Sequence, residues 1–342
     1  MREINWGIIG LGNIAQSFSE GFLNLDSSNL LAISSLNKSK LDYFKNKYKI
    51  DENYIFKNYD DLLNCSDIDI VYIALTNNLH YEWILKAIKK NKRVLVEKPA
   101  FIKSDHAKII KYEVLKRGLF FTEGYMYLHN PQILKIIKII KNKELGKVIS
   151  MKSSFCKNIL TKKKFFFFER QKKIDLNHRL FNKKLGGGCI LDLGCYPVSF
   201  SVLIASLIEG IDYQNFELSN VKRENGLNNI DIDAEAEINF DNSFKSQIKS
   251  SFKKPIGSET IITCEKGDLI IKNTWTGKTE IIKNINGVSK TLKNKLEKNI
   301  YSYEIENISK DILEGVTKPT FPSVSIDKTI INTEILESWL SA

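Results

Sequence analysis

The chain has 342 residues, 43% hydrophobic and 27% charged, a composition typical of a globular protein long enough for two domains with ordinary cores. Its net charge of +11 is concentrated: between Lys152 and Lys184, nine lysines and two arginines face only Glu169 and Asp175. Lysine-rich usage explains that excess, with an anion-binding surface as the alternative, and no nucleic-acid motif accompanies it.

Five cysteines without CxxC spacing argue against a disulfide framework, and four histidines without HExxH spacing imply no metal. The longest weakly polar run, from Pro197 to Ile208, is far short of the roughly 20 residues of a membrane-spanning helix. An apolar strand begins by Ile4, so no secretory signal is expected. A cytoplasmic protein with neither membrane nor nucleic-acid partner is expected.

Residues 4 to 15 read as a strand running into Gly10-x-Gly12-x-x-Ala15 and then a helix with Ile14, Phe18 and Phe22 on one face. Gly10 permits the tight turn, Gly12 leaves room for a pyrophosphate at the helix start, and Ala15 keeps the helix close to the strand. The next strand ends near Ser34 and Ser35, where an acidic residue would bind the ribose 2′-hydroxyl of NAD. Ser35 stands there instead, followed by Lys38 and Lys40, so the pattern leans towards NADP.

A short helix to Tyr48, a small strand at Tyr54 to Phe56 and a helical turn follow. Residues 67 to 76 then form an apolar strand leading into Asn77, Asn78, Leu79 and His80. After another helix comes VLVEKPA, residues 94 to 100, a buried strand whose carboxyl end presents Glu97 and Lys98 before Pro99. Ligands of open α/β sheets bind at such strand ends. A helix capped by Ser104 and closed by Gly118 completes a doubly wound parallel domain over 1–122, with FFTEGY as the strand that leaves it.

GLGNIA, TNNLH, EKP, EGYMY with Pro131-Gln132, and GGGCILDLGCYP together resemble the glucose-fructose oxidoreductase, inositol dehydrogenase and MocA (Gfo/Idh/MocA) family. The match is nearest to the branch of glucose-fructose oxidoreductase and dimeric dihydrodiol dehydrogenase, because Asp192-x-Gly194-x-Tyr196 ends in tyrosine. The resemblance implies a Rossmann domain followed, over 123–342, by an α/β domain with a large open sheet, one face of which commonly pairs subunits as a homodimer or homotetramer. It implies Lys98, Tyr196 and Asp192 as catalytic residues. Cofactor contacts would come from Gly10, Gly12, Asn13, Ile14, Ser35, Leu75, Asn77, His80, Glu97 and Lys98. Thr76, Leu128, His129 and Asn130 depart from the family pattern where related enzymes shape the substrate pocket, so the reaction type transfers better than the substrate.

On its own terms, the glycine turn before Ile190 starts a helix that puts Asp192 and Tyr196 four apart on one face. A helix-face carboxylate and a half-buried aromatic are the structural alternatives. Oxidising a carbinol needs a base for the hydroxyl proton, and an ammonium near a phenol favours its phenolate. Phe165 to Phe168 read as a buried strand, a pocket wall or a subunit contact; Arg179 with nearby lysines is a possible phosphate or carboxylate site. His129 and His178 read as packing or polar surface groups. Four alternating runs after Phe216 make a mostly antiparallel sheet, and two helical stretches close the chain.

The expected activity is hydride transfer between NADP or NAD and a hydroxyl or carbonyl carbon of a sugar, polyol or diol. The alternatives are a redox-neutral epimerase or glycosidase with bound cofactor, and a non-catalytic cofactor sensor.

Overall fold

Strands that are buried on both faces need a helical layer on each side, and the first 124 residues supply both in alternation. In the computed structural model, which describes residues 2–23, 25–164, 168–253, 257–292 and 296–342, these elements are β1 (Ile4–Ile9), α1 (Asn13–Ser19), β2 (Ser28–Ser34), α2 (Lys38–Tyr48), β3 (Ile55–Phe56), α3 (Tyr59–Asn64), β4 (Ile70–Ile73), α4 (His80–Lys89), β5 (Arg93–Glu97), α5 (Ser104–Arg117) and β6 (Phe121–Gly124). All six strands run parallel in the order β3-β2-β1-β4-β5-β6. The order reverses between β1 and β4, which is the switch point where such sheets bind ligands.

The chain divides into two compact units, residues 1–130 with 296–330 and residues 131–295 with 331–342. The expected boundary at 122 gives everything beyond it to the second domain, whereas residues 123–130 and 296–330 belong to the first unit. The return of 296–330 is a tertiary event. Trp6 Nε1 donates to Ser309 Oγ at 3.0 Å, Ser302 Oγ donates to the Gly21 carbonyl at 2.8 Å, and Tyr301, Ile305, Ile308 and Ile312 join the core on one side of the parallel sheet. Gly21 admits this helix because a Cβ there would lie 2.9 Å from Tyr301 Cβ. Ile84, Ala87, Ile110 and Val114 fill the other side.

The second unit contains α6 (Pro131–Lys141), β7 (Val148–Cys156), a hairpin of β8 (Thr161–Lys164) and β9 (Phe168–Gln171), α7 (Cys195–Ala205), β10 (Phe216–Asn225), β11 (Asp231–Phe240), β12 (Phe244–Ser251), β13 (Glu259–Cys264), β14 (Gly267–Lys272), β15 (Glu280–Ile285) and β16 (Val288–Leu292). Eight of these strands form a sheet ordered β10-β11-β12-β7-β13-β14-β15-β16. Only the β12–β7 pair is parallel, so the sheet is mostly antiparallel, as expected. The last helices are α8 (Ile300–Leu313) and α9 (Ile326–Ser341).

Local expectations need three corrections. Ser104 begins α5 but does not cap it; Lys103 is the N-cap and offers no side-chain bond, whereas Gly118 closes the helix with φ 61° as expected. α1 stops at Ser19, and Phe22 lies in the 3-10 turn that follows. The apolar run at Pro197 belongs to a helical stretch, Lys183–Ala205, long and apolar enough to cross a membrane, yet 94% of its apolar window is buried inside the protein. Phe165, Phe166 and Phe167 lie outside the described residues, and Phe168 begins β9. Cys156, Cys189, Cys195 and Cys264 are buried, and Cys65 is half-buried.

Candidate active site

Residues from four loops meet at the carboxyl ends of β1, β2, β4 and β5. Gly10 has φ +90°, and a Cβ on it would lie 2.7 Å from both the Ala74 carbonyl oxygen and Leu75 Cδ2, so only glycine fits between β1 and the loop after β4. Its N–H donates to the Ser34 carbonyl at 3.0 Å, which ties the end of β1 to the end of β2. Gly12 differs: it is the N-cap of α1, and a Cβ there would meet nothing within 4 Å. Its open space adjoins the first N–H groups of the helix, which carry the positive end of the helix dipole. Asn13 is exposed, Ile14 is half-buried, and Ala15 is fully buried against the core.

Ser35 is buried, and its Oγ accepts from the Asn37 N–H at 3.1 Å. Asn37 in turn caps α2 by accepting from the Lys40 N–H at 3.1 Å. Leu36, Lys38 and Lys40 are exposed around this turn, so the loop offers a hydroxyl and two cations and no carboxylate.

The loops after β4 and β5 are braced by His80. The ring is fully buried; Nδ1 lies 2.9 Å from the Pro99 carbonyl and Nε2 3.1 Å from the Leu75 carbonyl. Burial pushes its pKa down to about 4, against the pull of those carbonyls, and the Lys98 charge adds to the lowering. His80 therefore links the backbones of these two loops. Lys98 is half-buried and precedes a cis peptide bond to Pro99. Glu97 is buried, accepting from the Tyr72 hydroxyl and from the Lys98 N–H at 3.3 Å. Asn77 is buried and Leu75 half-buried.

These features fit a dinucleotide. The side-chain-free space at Gly12, next to a helix start at the switch point, suits a pyrophosphate, and Ser35 with Lys38 stands where the adenosine ribose would lie. Among the described residues no group of three or more His, Cys, Asp or Glu is arranged to hold a metal ion.

The departure at 128–130 is structural within the first unit. Leu128, His129 and Asn130 are all buried. His129 accepts at Nδ1 from the Asn307 amide at 3.1 Å, and its Nε2 lies 4.0 Å from Glu304 Oε1. Burial pushes the His129 pKa down to about 3 and raises that of Glu304. His129 is a packing group, as the sequence suggested; His178 is exposed and caps the turn at Arg179 by accepting from the Leu180 N–H.

In the second unit Asp192 and Tyr196 do not share one regular α-helix. Ile190–Gly194 is a π-helix, and α7 begins after it. Such turns recur at functional sites because they re-aim side chains within an otherwise regular helix. The buried Asp231 carboxylate accepts from the Ile190 N–H at 2.7 Å and so caps this helical start. Gly188 makes that approach possible, since a Cβ on it would lie 2.1 Å from Asp231 Oδ1. Gly194 gives similar room to Trp339, whose ring would stand 2.8 Å from its Cβ.

Tyr196 is 7% exposed, with its ring 5.1 Å from Phe155 in a T-shaped contact and 5.7 Å from Trp275. Trp275 is itself fixed by donating Nε1 to the Ser154 carbonyl at 2.8 Å. Asp192 Oδ1 lies 3.0 Å from Arg179 Nη1. The sequence named Tyr196, Asp192 and Arg179. It gave no hint of Asp231, Phe155 or Trp275, which come from β11, β7 and the segment between β14 and β15.

A six-stranded parallel sheet with a side-chain-free glycine beside a helix start at its switch point is the arrangement of a dinucleotide-binding domain. Residues 4–125 match the oxidoreductase family with an NAD-binding Rossmann fold, and residues 133–270 match the Gfo/Idh/MocA C-terminal domain. The chain belongs to the Gfo/Idh/MocA family of NAD(P)-binding oxidoreductases.

Among its relatives, the trans-1,2-dihydrobenzene-1,2-diol dehydrogenase of Xenopus laevis is 23% identical over 335 residues, covering 95% of this chain and 94% of that protein. The glucose-6-phosphate 3-dehydrogenase of Bacillus subtilis is 31% identical over 200 residues, covering 58% of this chain and 52% of that protein. The fold is shared with aldose-aldose oxidoreductase from Caulobacter crescentus, solved with glycerol, at a TM-score of 0.85 and 19% identity, covering 100% of this chain and 97% of that one. A 3-ketoreductase from Actinomadura kijaniata, solved with NADP, gives 0.80 and 18% identity, covering 98% and 97%.

Proposed function

We propose that this oxidoreductase is a cytoplasmic, homo-oligomeric enzyme that prefers NADP and acts on a hydroxyl or carbonyl carbon of a sugar, polyol or related diol. A bound nicotinamide supplies or accepts the hydride; the chain's own residues bind, orient and move the proton. Tyr196 is the acid/base: in oxidation its phenolate takes the substrate hydroxyl proton, and in reduction its phenol returns one. The family resemblance implies Lys98 as the source of the positive charge that would favour the phenolate. Asp192 orients the substrate by accepting from a second hydroxyl. The observation that carries this reading is the fixed setting of Tyr196, a tyrosine held between Phe155 and Trp275 on the same helical stretch as Asp192, whose carboxylate pairs with Arg179.

Support for the substrate class comes from the relatives, whose names describe a diol dehydrogenase and a sugar-phosphate dehydrogenase. Support for NADP comes from the Ser35–Lys38 turn and from the NADP-bound ketoreductase of like fold. The test is a fluorescence titration of the cofactor-stripped protein with NADPH and, separately, NADH. A screen of free sugars, sugar phosphates, polyols and aromatic diols then follows with the preferred cofactor. Tight NADPH binding and net accumulation of reduced or oxidised cofactor with one substrate class bear the proposal out. Turnover without net redox change would instead identify an epimerase or glycosidase, and failure to bind either cofactor would overturn the reading.

A further inference from the structure

The Arg179–Asp192 pair has a property that fold stability does not explain. Asp192 has a side chain only 14% exposed, whereas its partner is 48% exposed. An ion pair this open on one side adds little to stability, because water screens it and two flexible side chains lose freedom in forming it. Yet the backbone that carries Arg179 is fixed with care.

The 3-10 turn Arg179–Phe181 is held from three directions. Gly188 N–H donates to the Leu180 carbonyl at 3.0 Å, and a Cβ on Gly187 would lie 2.6 Å from the Arg179 carbonyl oxygen. Phe181 is buried with its ring 6.1 Å from that of Phe252. The Phe181 carbonyl accepts from Asn228 Nδ2 at 3.3 Å. The glycines that receive the turn are the ones that lead into Ile190–Gly194, so Arg179 and Asp192 ride on one assembly whose helical start is capped by Asp231.

We propose that Arg179 is a positioning residue: through Nη1 it fixes the orientation and the charge of the Asp192 carboxylate, which then receives the substrate hydroxyl beside Tyr196. A guanidinium suits this role because its planar donors set the direction of a carboxylate as well as its charge, and it stays protonated at any working pH. Its exposed side remains in water. The proposal rests on the reading of Asp192 as a substrate-orienting group given above.

The test uses the full chain loaded with NADPH and the variants Arg179→Gln, Arg179→Lys, Asp192→Asn and the double variant Arg179→Gln with Asp192→Asn. With a substrate from the screen, Arg179→Gln lowers kcat roughly tenfold with a smaller change in KM and none in NADPH affinity, and Arg179→Lys recovers part of the loss. The double variant is no slower than Asp192→Asn alone, because Arg179 acts only through Asp192. Multiplicative losses, or unaltered turnover in Arg179→Gln, overturn the proposal.

A second measurement needs no substrate. Carboxyl-carbon NMR of protein labelled at aspartate, with the Asp192 signal assigned from Asp192→Asn, follows its titration from about pH 3 to about pH 8. The midpoint moves upward in Arg179→Gln and back in Arg179→Lys; an unmoved midpoint overturns the proposal. If no compound in the screen is turned over, the substrate reading fails, and the NMR result still decides the role of Arg179.

Discussion

His80 Nδ1 lies 2.9 Å from the carbonyl oxygen of Pro99, which couples the loop after β4 to the loop that carries Lys98. The second ring nitrogen faces the Leu75 carbonyl at 3.1 Å, so a neutral ring donates to only one of two waiting acceptors at a time.

This arrangement gives stability a pH dependence. The folded-state pKa of His80 is lowered from 6.5 to about 4 by burial, so below the unfolded value the unfolded chain binds a proton that the folded one refuses. The stability is fully present above the unfolded pKa and is lost as pH falls from 6.5 towards about 4. The expected loss from this group is about 3 kcal/mol. Denaturant unfolding of wild type and His80→Asn across this range measures it: the variant is less stable at neutral pH and its stability falls less steeply with acid. Equal slopes would show that His80 charges in the folded protein.

The two motif glycines respond oppositely to the same substitution. Gly12→Ala puts a methyl into space that no protein atom occupies, at φ −87° and ψ −174° that alanine adopts freely. It folds with wild-type stability and loses NADPH affinity by roughly tenfold or more, about 1.4 kcal/mol. Gly10→Ala strains a φ of +90° and drives its Cβ against the Ala74 carbonyl, so it lowers the melting temperature. Melting curves paired with NADPH titration separate the two. A Gly12→Ala protein that binds NADPH as tightly as wild type would remove the pyrophosphate from that space.

Lys38 offers a test of cofactor choice that leaves the fold alone. It is exposed at the first position of α2, where an acidic residue favours the helix dipole. Lys38→Glu therefore folds normally, weakens NADPH by roughly tenfold and leaves NADH within about twofold, as read by fluorescence titration of both. Equal weakening of the two cofactors would move the 2′-phosphate away from this turn.

Tyr196→Phe removes one oxygen from a ring that Phe155 and Trp275 already hold. The ring keeps its packing, NADPH affinity is unchanged, and turnover falls by roughly 10²-fold or more in steady-state assays. Retention of full turnover would exclude the phenol from proton transfer.

The sequence by itself determined the features that lie within a few residues of one another. The turn from β1 through Gly10 to α1, the missing acid after β2, the buried run ending at Lys98 and the alternation of β11 to β14 all follow from local spacing, because backbone conformation and strand or helix periodicity are short-range properties. Tertiary structure alone decided what long-range packing controls. It returned Tyr301 and Ser309 to the first unit through Gly21 and Trp6, placed Asp231 over the Ile190 N–H, and set Asp192 in a π-turn ahead of the α-helix that carries Tyr196. It also buried His129 beside Glu304 and set Phe155 and Trp275 around the tyrosine. Each of these joins residues far apart in the chain, and what fixes them is the need to fill space and satisfy buried polar groups, for which local periodicity carries no signal.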